Sequence, residues 1–449
     1  MSSNGVSMLA ARIKDQLIQR TLEQRMSRLD KPAEGVAIPQ VRLADGRVPE
    51  SYYRFAMHPG YQQLRIMNDG AARLGIGNPF FKQHDGRVGS TTRIDGREYI
   101  NYGSYNYLGL AGDVSVTDAA KSAIDRYGTT VSASRLVSGE RPLHREFERA
   151  LADVYGVDDA VTFVSGHATN VTTIGYLFGP NDLVVHDALI HNSTLQGIQL
   201  SGAKRFAFPH NDWNALDVLL GQHRQNFERI LIVLEGIYSM DGDYPDLPRF
   251  VAIKRRHHAF LMVDEAHSFG VMGQSGLGIR EHFGLDGGDV DIWMGTLSKA
   301  LAGCGGYIAG EAALVEHLKF LAPGFLYSVG MPPPMVAASL AALRVMQREP
   351  HRVRMLQDRG RYFLAGAKAA GVDTGSSTGF AVVPAMTGGS IRAARLSEAL
   401  FNRGINVQPI VYPAVPEKSA RLRFFLTCDH TEIQIEKTIQ CLTEELNRL

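Results

Sequence analysis

The chain is poor in several features that would commit it to large function classes. Only three cysteines occur in its 449 residues, Cys304, Cys428 and Cys441. They are widely spaced and form no pair of metal-ligand spacing, so a disulfide framework and a cysteine zinc site are both unexpected, and a reducing, cytoplasmic setting is expected. There is no charge excess either. With 47 basic against 46 acidic residues the net charge is +1, which leaves no electrostatic footprint for DNA or RNA. No apolar run approaches the ~20 residues that cross a bilayer. The opening Met-Ser-Ser-Asn-Gly lacks the basic-then-apolar layout of a secretory signal. Internal repeats and low-complexity tracts are absent as well. What remains is ordinary for a globular protein, 45% hydrophobic and 21% charged, and long enough for two or three domains around a large core.

Three stretches differ in pattern. Residues 1–95 form an N-terminal arm and extended segment. Within it, 8–30 reads as an amphipathic helix with Leu9, Ile13, Leu17 and Met26 on one face. Such a stripe is read first as an arm packing on its own subunit or across a dimer, with a docking helix for a partner protein as the alternative. The rest, 31–95, is irregular and rich in Pro, Gly and Arg. Residues 96–334 are expected to be a large domain. Val116, Ala120, Ala123, Ile124 and Tyr127 repeat at helical spacing, and Pro142 opens a second helix that stops at Gly156. Six short apolar runs follow, at 159–165, 182–187, 204–208, 230–235, 260–264 and 291–295. Most are separated by helix-length segments, which predicts an α/β fold with a mostly parallel sheet covered on both faces. Residues 335–449 read as a long helix and then a smaller C-terminal α/β domain.

In such a sheet ligands collect at the carboxyl ends of strands, and the chemically able residues fall there. Lys299 lies in Met294-Gly-Thr-Leu-Ser-Lys-Ala-Leu-Ala-Gly-Cys-Gly-Gly306, boxed in by hydroxyls and glycines. Upstream, Phe260-Leu-Met-Val-Asp264-Glu-Ala-His267 ends an apolar run in carboxylate and imidazole. The pairing is what pyridoxal 5'-phosphate (PLP) requires: an amine to form a Schiff base with its aldehyde, and a carboxylate to keep its ring nitrogen protonated. Ser165-Gly166-His167 follows a run and opens a helix, whose free N–H groups suit a phosphate. Each feature alone has a plainer account. Asp264 equally caps a helix, His267 equally fills a core, an isolated lysine is usually solvated, and Thr296 and Ser298 equally bond nearby backbone. Their joint order carries the argument.

The motifs Asn106-Tyr-Leu-Gly-Leu110, Ser134-Arg-Leu-Val-Ser-Gly139 with His144, Glu235-Gly-Ile-Tyr-Ser239-Met-Asp-Gly242, Val263–His267, Gly295–Lys299, Tyr327-Ser-Val-Gly-Met-Pro-Pro333 and Arg421–Thr427 extend the pattern from about Asn101 to His430. Together they resemble the α-oxoamine synthases, a family of fold-type I PLP enzymes. The resemblance implies a mostly parallel seven-stranded sheet, a smaller C-terminal domain and a homodimer with a shared active site. It casts Lys299 as the Schiff-base lysine and acid/base, Asp264 as partner of the ring nitrogen, and His191 as the imidazole stacked on the ring. Ser239 and His267 match groups beside the ring oxygen, with His267 near the acyl carbonyl. Ser165, Gly166, His167 and Thr296 fall at phosphate positions. Arg423 matches the clamp for the amino-acid carboxylate, Asn106 a residue beside the substrate, and Ser328 the hydroxyl lent by the neighbouring subunit. The chain departs from the pattern at His167, where an aromatic ring is frequent, at Gly276-Leu277-Gly278, where the middle residue is often Arg, and at the non-polar Val329 and Gly330.

The implied activity is decarboxylative condensation of a small α-amino acid with an acyl thioester, giving an α-amino ketone, CO₂ and free thiol. Segments 78–86, 101–110 and 131–135 look closest to versions paired with carrier proteins, which points to an acyl carrier protein over CoA as donor. The same scaffold also serves PLP-dependent aminotransferases, the principal alternative, because a fold does not fix a reaction. A non-catalytic subunit would be expected to lack Lys299.

Overall fold

The computed structural model describes residues 48–449, so the amphipathic segment at 8–30 lies outside the described residues. The chain divides between Gly70 and Ala71 into two units. Residues 48–95 are less irregular than their composition suggests. Two short 3-10 turns, Glu50–Tyr52 and Phe55–Met57, precede a helix over Pro59–Arg73 with no buried residue. Its polar positions and two internal glycines hide the helix from an apolar-period reading.

Within the second unit, strands His84–Asp85 (β1), Thr91–Ile94 (β2) and Arg97–Asn101 (β3) form a small sheet that a C-terminal strand, Ile405–Asn406, joins parallel to β3. The main sheet has seven strands: Asp159–Phe163 (β4), Leu183–Asp187 (β5), Lys204–Phe208 (β6), Ile230–Glu235 (β7), Phe260–Asp264 (β8), Ile292–Thr296 (β9) and Gly306–Gly310 (β10). Their order is β4-β10-β9-β8-β7-β5-β6, and only β10 runs antiparallel to its neighbours. All six residues of β7 are buried, as a strand covered on both faces requires. The six apolar runs are the six parallel strands. The seventh, Gly-Tyr-Ile-Ala-Gly, is bounded by glycines that mask it as a strand. Gly306 is required there because a Cβ would come within 2.8 Å of the Gly166 Cα, where the helix Gly166–Leu177 crosses the sheet. A three-stranded sheet of Val382–Met386, Arg421–Phe425 and Pro409–Ile410 carries the C-terminal part.

Parallel strands put their carboxyl ends on one edge. From that edge come Ser165 after β4, His191 after β5, Glu235 and Ser239 at and after β7, Asp264 ending β8, and Thr296 ending β9. Among the described residues no helix is long and apolar enough to cross a membrane, and no group of His, Cys, Asp and Glu is arranged to hold a metal ion.

Away from this edge, a buried ion cluster holds the Ser134–Gly139 segment. Glu148, fully buried, accepts from Arg135 Nη2 at 3.1 Å, Lys319 Nζ at 2.9 Å and Thr162 N at 2.9 Å, while Arg135 also pairs with Glu140 at 2.6 Å. Replacing Glu148 with Gln leaves the buried Arg135 and the half-buried Lys319 under-compensated. The expected loss is about 3 kcal/mol of unfolding free energy. Urea unfolding of both proteins measures it, and an unchanged midpoint would show the cluster to be dispensable.

Candidate active site

The carboxyl edge opens into a cleft of about 360 Å³. Ten of the residues singled out in the sequence line it: Ser165, Gly166, His167, His191, Ser239, Asp264, His267, Thr296, Lys299 and Arg423.

Asp264 is buried at the end of β8, yet both its oxygens are satisfied. Oδ2 accepts from Asn170 Nδ2 at 2.9 Å, and Oδ1 from the Ala266 amide at 2.9 Å. Asn170 Nδ2 also reaches Ser193 Oγ at 2.9 Å. His191 is exposed at the cleft and caps the helix Asn192–Ser201. Its Nδ1 lies 2.7 Å from Ser193 Oγ and accepts from the Ser193 amide at 3.3 Å. Desolvation lowers its imidazole pKa, with Asp264 opposing.

Lys299 reaches the cleft from the loop between β9 and β10. That loop turns tightly, with the non-glycine Ala302 at φ 51° and its amide donating to the Lys299 carbonyl at 3.0 Å. A left-handed alanine costs about 1–2 kcal/mol, so the surrounding packing must hold this turn. Burial lowers the Lys299 amine pKa to about 8, although Asp264 and Glu235 pull the other way. About a tenth of the amine is therefore neutral, and nucleophilic, at pH 7, far more than for an ordinary lysine.

His267 is buried. Desolvation, with the nearby Lys299 and Arg423 cations, pushes its pKa well below the ordinary value and keeps the ring neutral. Arg423 enters from the C-terminal sheet. Its Nη1 donates to the Ser239 carbonyl at 2.9 Å, its guanidinium lies 4.5 Å from the Phe425 ring centroid, and its buried Nε has no protein partner.

Two expected residues stand apart. Asn106 does not line the cleft. Its Nδ2 donates to the Val88 carbonyl at 3.0 Å and its Oδ1 accepts from the Ala111 amide at 3.2 Å, so both ends of the side chain brace a loop. Tyr105, its neighbour, is the cleft residue, with the Lys299 Nζ 5.7 Å from its ring centroid. Ser328 lies instead beside Arg135, Phe325 and Gly330.

Glu235 lies next to Asp264 across the β7–β8 ladder and had no role in the sequence reading. Burial first, and then Asp264, raises its carboxyl pKa to about 8, so it is mostly protonated at neutral pH. The signal that marked Asp264, a carboxylate ending an apolar run, was equally present at Glu235. Asn170, one turn into the helix Gly166–Leu177, likewise had no role in the sequence reading.

The residues fit PLP. A partly neutral lysine and an anchored carboxylate share one cleft, and the helix beginning at Gly166 offers its first amides. Gly166 is needed at that helix start, since a Cβ would lie 2.7 Å from Thr296 Oγ1. Glu235 Oε1, Asn170 Oδ1 and Arg423 Nε are buried polar atoms without protein partners around the same cavity, as a polar ligand requires.

Comparison with known proteins agrees with this geometry. Residues 97–442 match the family model for aminotransferase class I and II. The 8-amino-7-oxononanoate synthase of Geobacter sulfurreducens is 42% identical over 360 residues, 80% of this chain and 91% of that protein. The enzyme of the same name from Fervidobacterium nodosum is 41% identical, over 76% of this chain and 87% of its own. Among solved structures, serine palmitoyltransferase from S. paucimobilis, holding a PLP–myriocin aldimine, superposes with a TM-score of 0.83 at 30% identity. That match covers 87% of this chain and 99% of the other. The chain belongs to the α-oxoamine synthase family, PLP-dependent acyltransferases built on the aminotransferase class I and II fold.

Proposed function

We propose that this protein joins a small α-amino acid to an acyl thioester with loss of CO₂, releasing an α-amino ketone and a free thiol. The observation that carries this reading is one cleft shared by a partly neutral Lys299, an anchored Asp264, a neutral His267 and Arg423 with unused donor capacity. Support also comes from relatives named 8-amino-7-oxononanoate synthase and serine palmitoyltransferase.

When bound, PLP supplies an aldehyde for an amine and a ring that takes up the electron pair released at the substrate α-carbon. Around it the chain's own groups divide the work. Lys299 would hold the cofactor through its amine and would take and return the proton at the substrate α-carbon, a task suited to an amine titrating near 8. Asp264 would pair with the ring nitrogen and keep it protonated, with Asn170 and the Ala266 amide fixing the carboxylate's orientation. His191, which lines the same cleft, would cover one face of the ring. Ser165, Gly166, His167 and Thr296, at and around the helix start, bind the phosphate. Ser239 and His267 hold the ring oxygen, and His267 also the acyl carbonyl. The Arg423 fork clamps the amino-acid carboxylate, for which two parallel donors serve better than a point charge.

In this reading the enzyme is a homodimer with a large domain over 96–334 and a small one over 335–449. Ser328, which is absent from the cleft of its own chain, serves the partner's. The favoured acyl donor is a carrier-protein thioester, resting on the resemblance of segments 78–86, 101–110 and 131–135.

The test supplies glycine, alanine or serine, then an acyl thioester, free or carrier-bound, while thiol and CO₂ are followed. Stoichiometric release of both with the wild type and none with Lys299→Ala is expected. Amino transfer to an oxo acid, with no new carbon–carbon bond, would replace this reading with an aminotransferase. Arg423→Lys is expected to raise KM for the amino acid about tenfold or more, with a smaller effect on KM for the thioester. The Lys299 amine also sets a pH dependence. Because its pKa is lowered, its neutral form grows as pH rises, is half-formed near pH 8 and approaches saturation about one to two units higher. The rate at which cofactor-free protein captures PLP, followed by absorbance, should show its midpoint near pH 8 and then level. A rise continuing toward the ordinary lysine value of 10.5 would contradict the assignment.

A further inference from the structure

Tyr107 is fully buried behind the cleft and does not line it. Its backbone carbonyl accepts from the Cys428 amide at 2.8 Å, which ties it to the end of the strand bearing Arg423. Its hydroxyl lies 2.7 Å from His267 Nδ1. The Phe425 ring packs near-parallel to His267, with centroids 6.0 Å apart at 11°, and edge-on to Tyr107 at 6.2 Å. The imidazole is thus held in one plane, with Nδ1 turned toward the phenol.

We propose that Tyr107 is a positioning residue whose hydroxyl donates to His267 Nδ1, fixing the proton of the neutral imidazole on Nε2 so that His267 meets the cleft as a hydrogen-bond donor and not as a base.

Donor accounting selects this arrangement. A neutral imidazole has one donor and one acceptor, and the bond made by one nitrogen determines the state of the other. Were Nδ1 to donate to the phenol oxygen, the Tyr107 proton would need another acceptor. Among the described residues the hydroxyl has none besides His267. Burial with Lys299 and Arg423 close by opposes a second proton on the ring, so the doubly protonated form is not the alternative. Nε2 makes no bond to the protein among the described residues and is the nitrogen left for the cleft. An N–H aimed at a carbonyl oxygen favours the charge that grows there during acyl transfer. This inference rests on the acyl-transfer reading for its purpose, but not for its geometry.

The experiment is nitrogen NMR of ¹⁵N-histidine-labelled holoenzyme, using two-bond correlations to the ring protons and His267→Gln for assignment. The expected result is an unprotonated Nδ1 and a protonated Nε2 in the wild type, and a mixture of tautomers in Tyr107→Phe. Turnover of Tyr107→Phe should fall about tenfold or more through kcat. His267→Gln, which keeps an N–H donor but no base, should retain more activity than His267→Ala. A proton on Nδ1, or an unchanged single tautomer in Tyr107→Phe, would overturn the proposal, as would equal inactivity of the Gln and Ala variants. The predicted tautomer in a protein that consumes no thioester would instead refute the proposed reaction and leave the Tyr107 assignment standing.

Discussion

A carboxylate at the end of an interior strand is costly to bury unless its lone pairs are met, and Asp264 is met twice by rigid donors. The rest of the site is organised around that requirement. Asn170, one turn into the helix that begins at Gly166, holds Asp264 from one side. The amide of Ala266 holds it from the other and starts the turn that presents His267. Asp264 is thereby linked to the helix that begins at Gly166. The same contact reaches Ser193, and through it His191, so three strand ends are joined by one short polar chain.

Charge is balanced with little surplus. Asp264 and Glu235 sit side by side on adjacent strands, and burial keeps Glu235 largely protonated, so the cleft does not hold two full negative charges at neutral pH. Lys299 and Arg423 supply the positive side. Neither is quenched by a direct ion pair: Lys299 is desolvated enough to titrate near 8, and Arg423 spends one nitrogen on the Ser239 carbonyl and keeps others free. A cleft so arranged suits anionic ligands, as a cofactor phosphate and an amino-acid carboxylate both are.

Much of this was legible in the sequence because parallel strands buried on both faces read as unbroken apolar runs. The residue that ends each run then falls on the ligand edge. Asp264 was found in that way, and Lys299 and Thr296 through their small-residue loop. The rule failed where packing removed the signal. Strand β10 was missed because close approach of the Gly166 helix demands glycine there, which erases the strand-forming composition. Glu235 obeyed the rule and was passed over, since a motif reading drew attention to Ser239. Asn106 shows the opposite error: its side chain is committed to the backbone, and its neighbour Tyr105 faces the cleft. Tyr107 could not be recognised from sequence at all, because its partner His267 is 160 residues away.

The central claim is that the Asp264 carboxylate governs the electron-accepting ring. Replacing Asp264 with Asn keeps the shape and the Asn170 contact region but removes the charge. The direct measurement is single-turnover loss of the α-proton from deuterium-labelled amino acid by the PLP-loaded variant and wild type. The account predicts that Asp264→Asn still captures PLP through Lys299, while α-proton loss slows about 100-fold or more. A variant that binds PLP and releases the α-proton at the wild-type rate would contradict it.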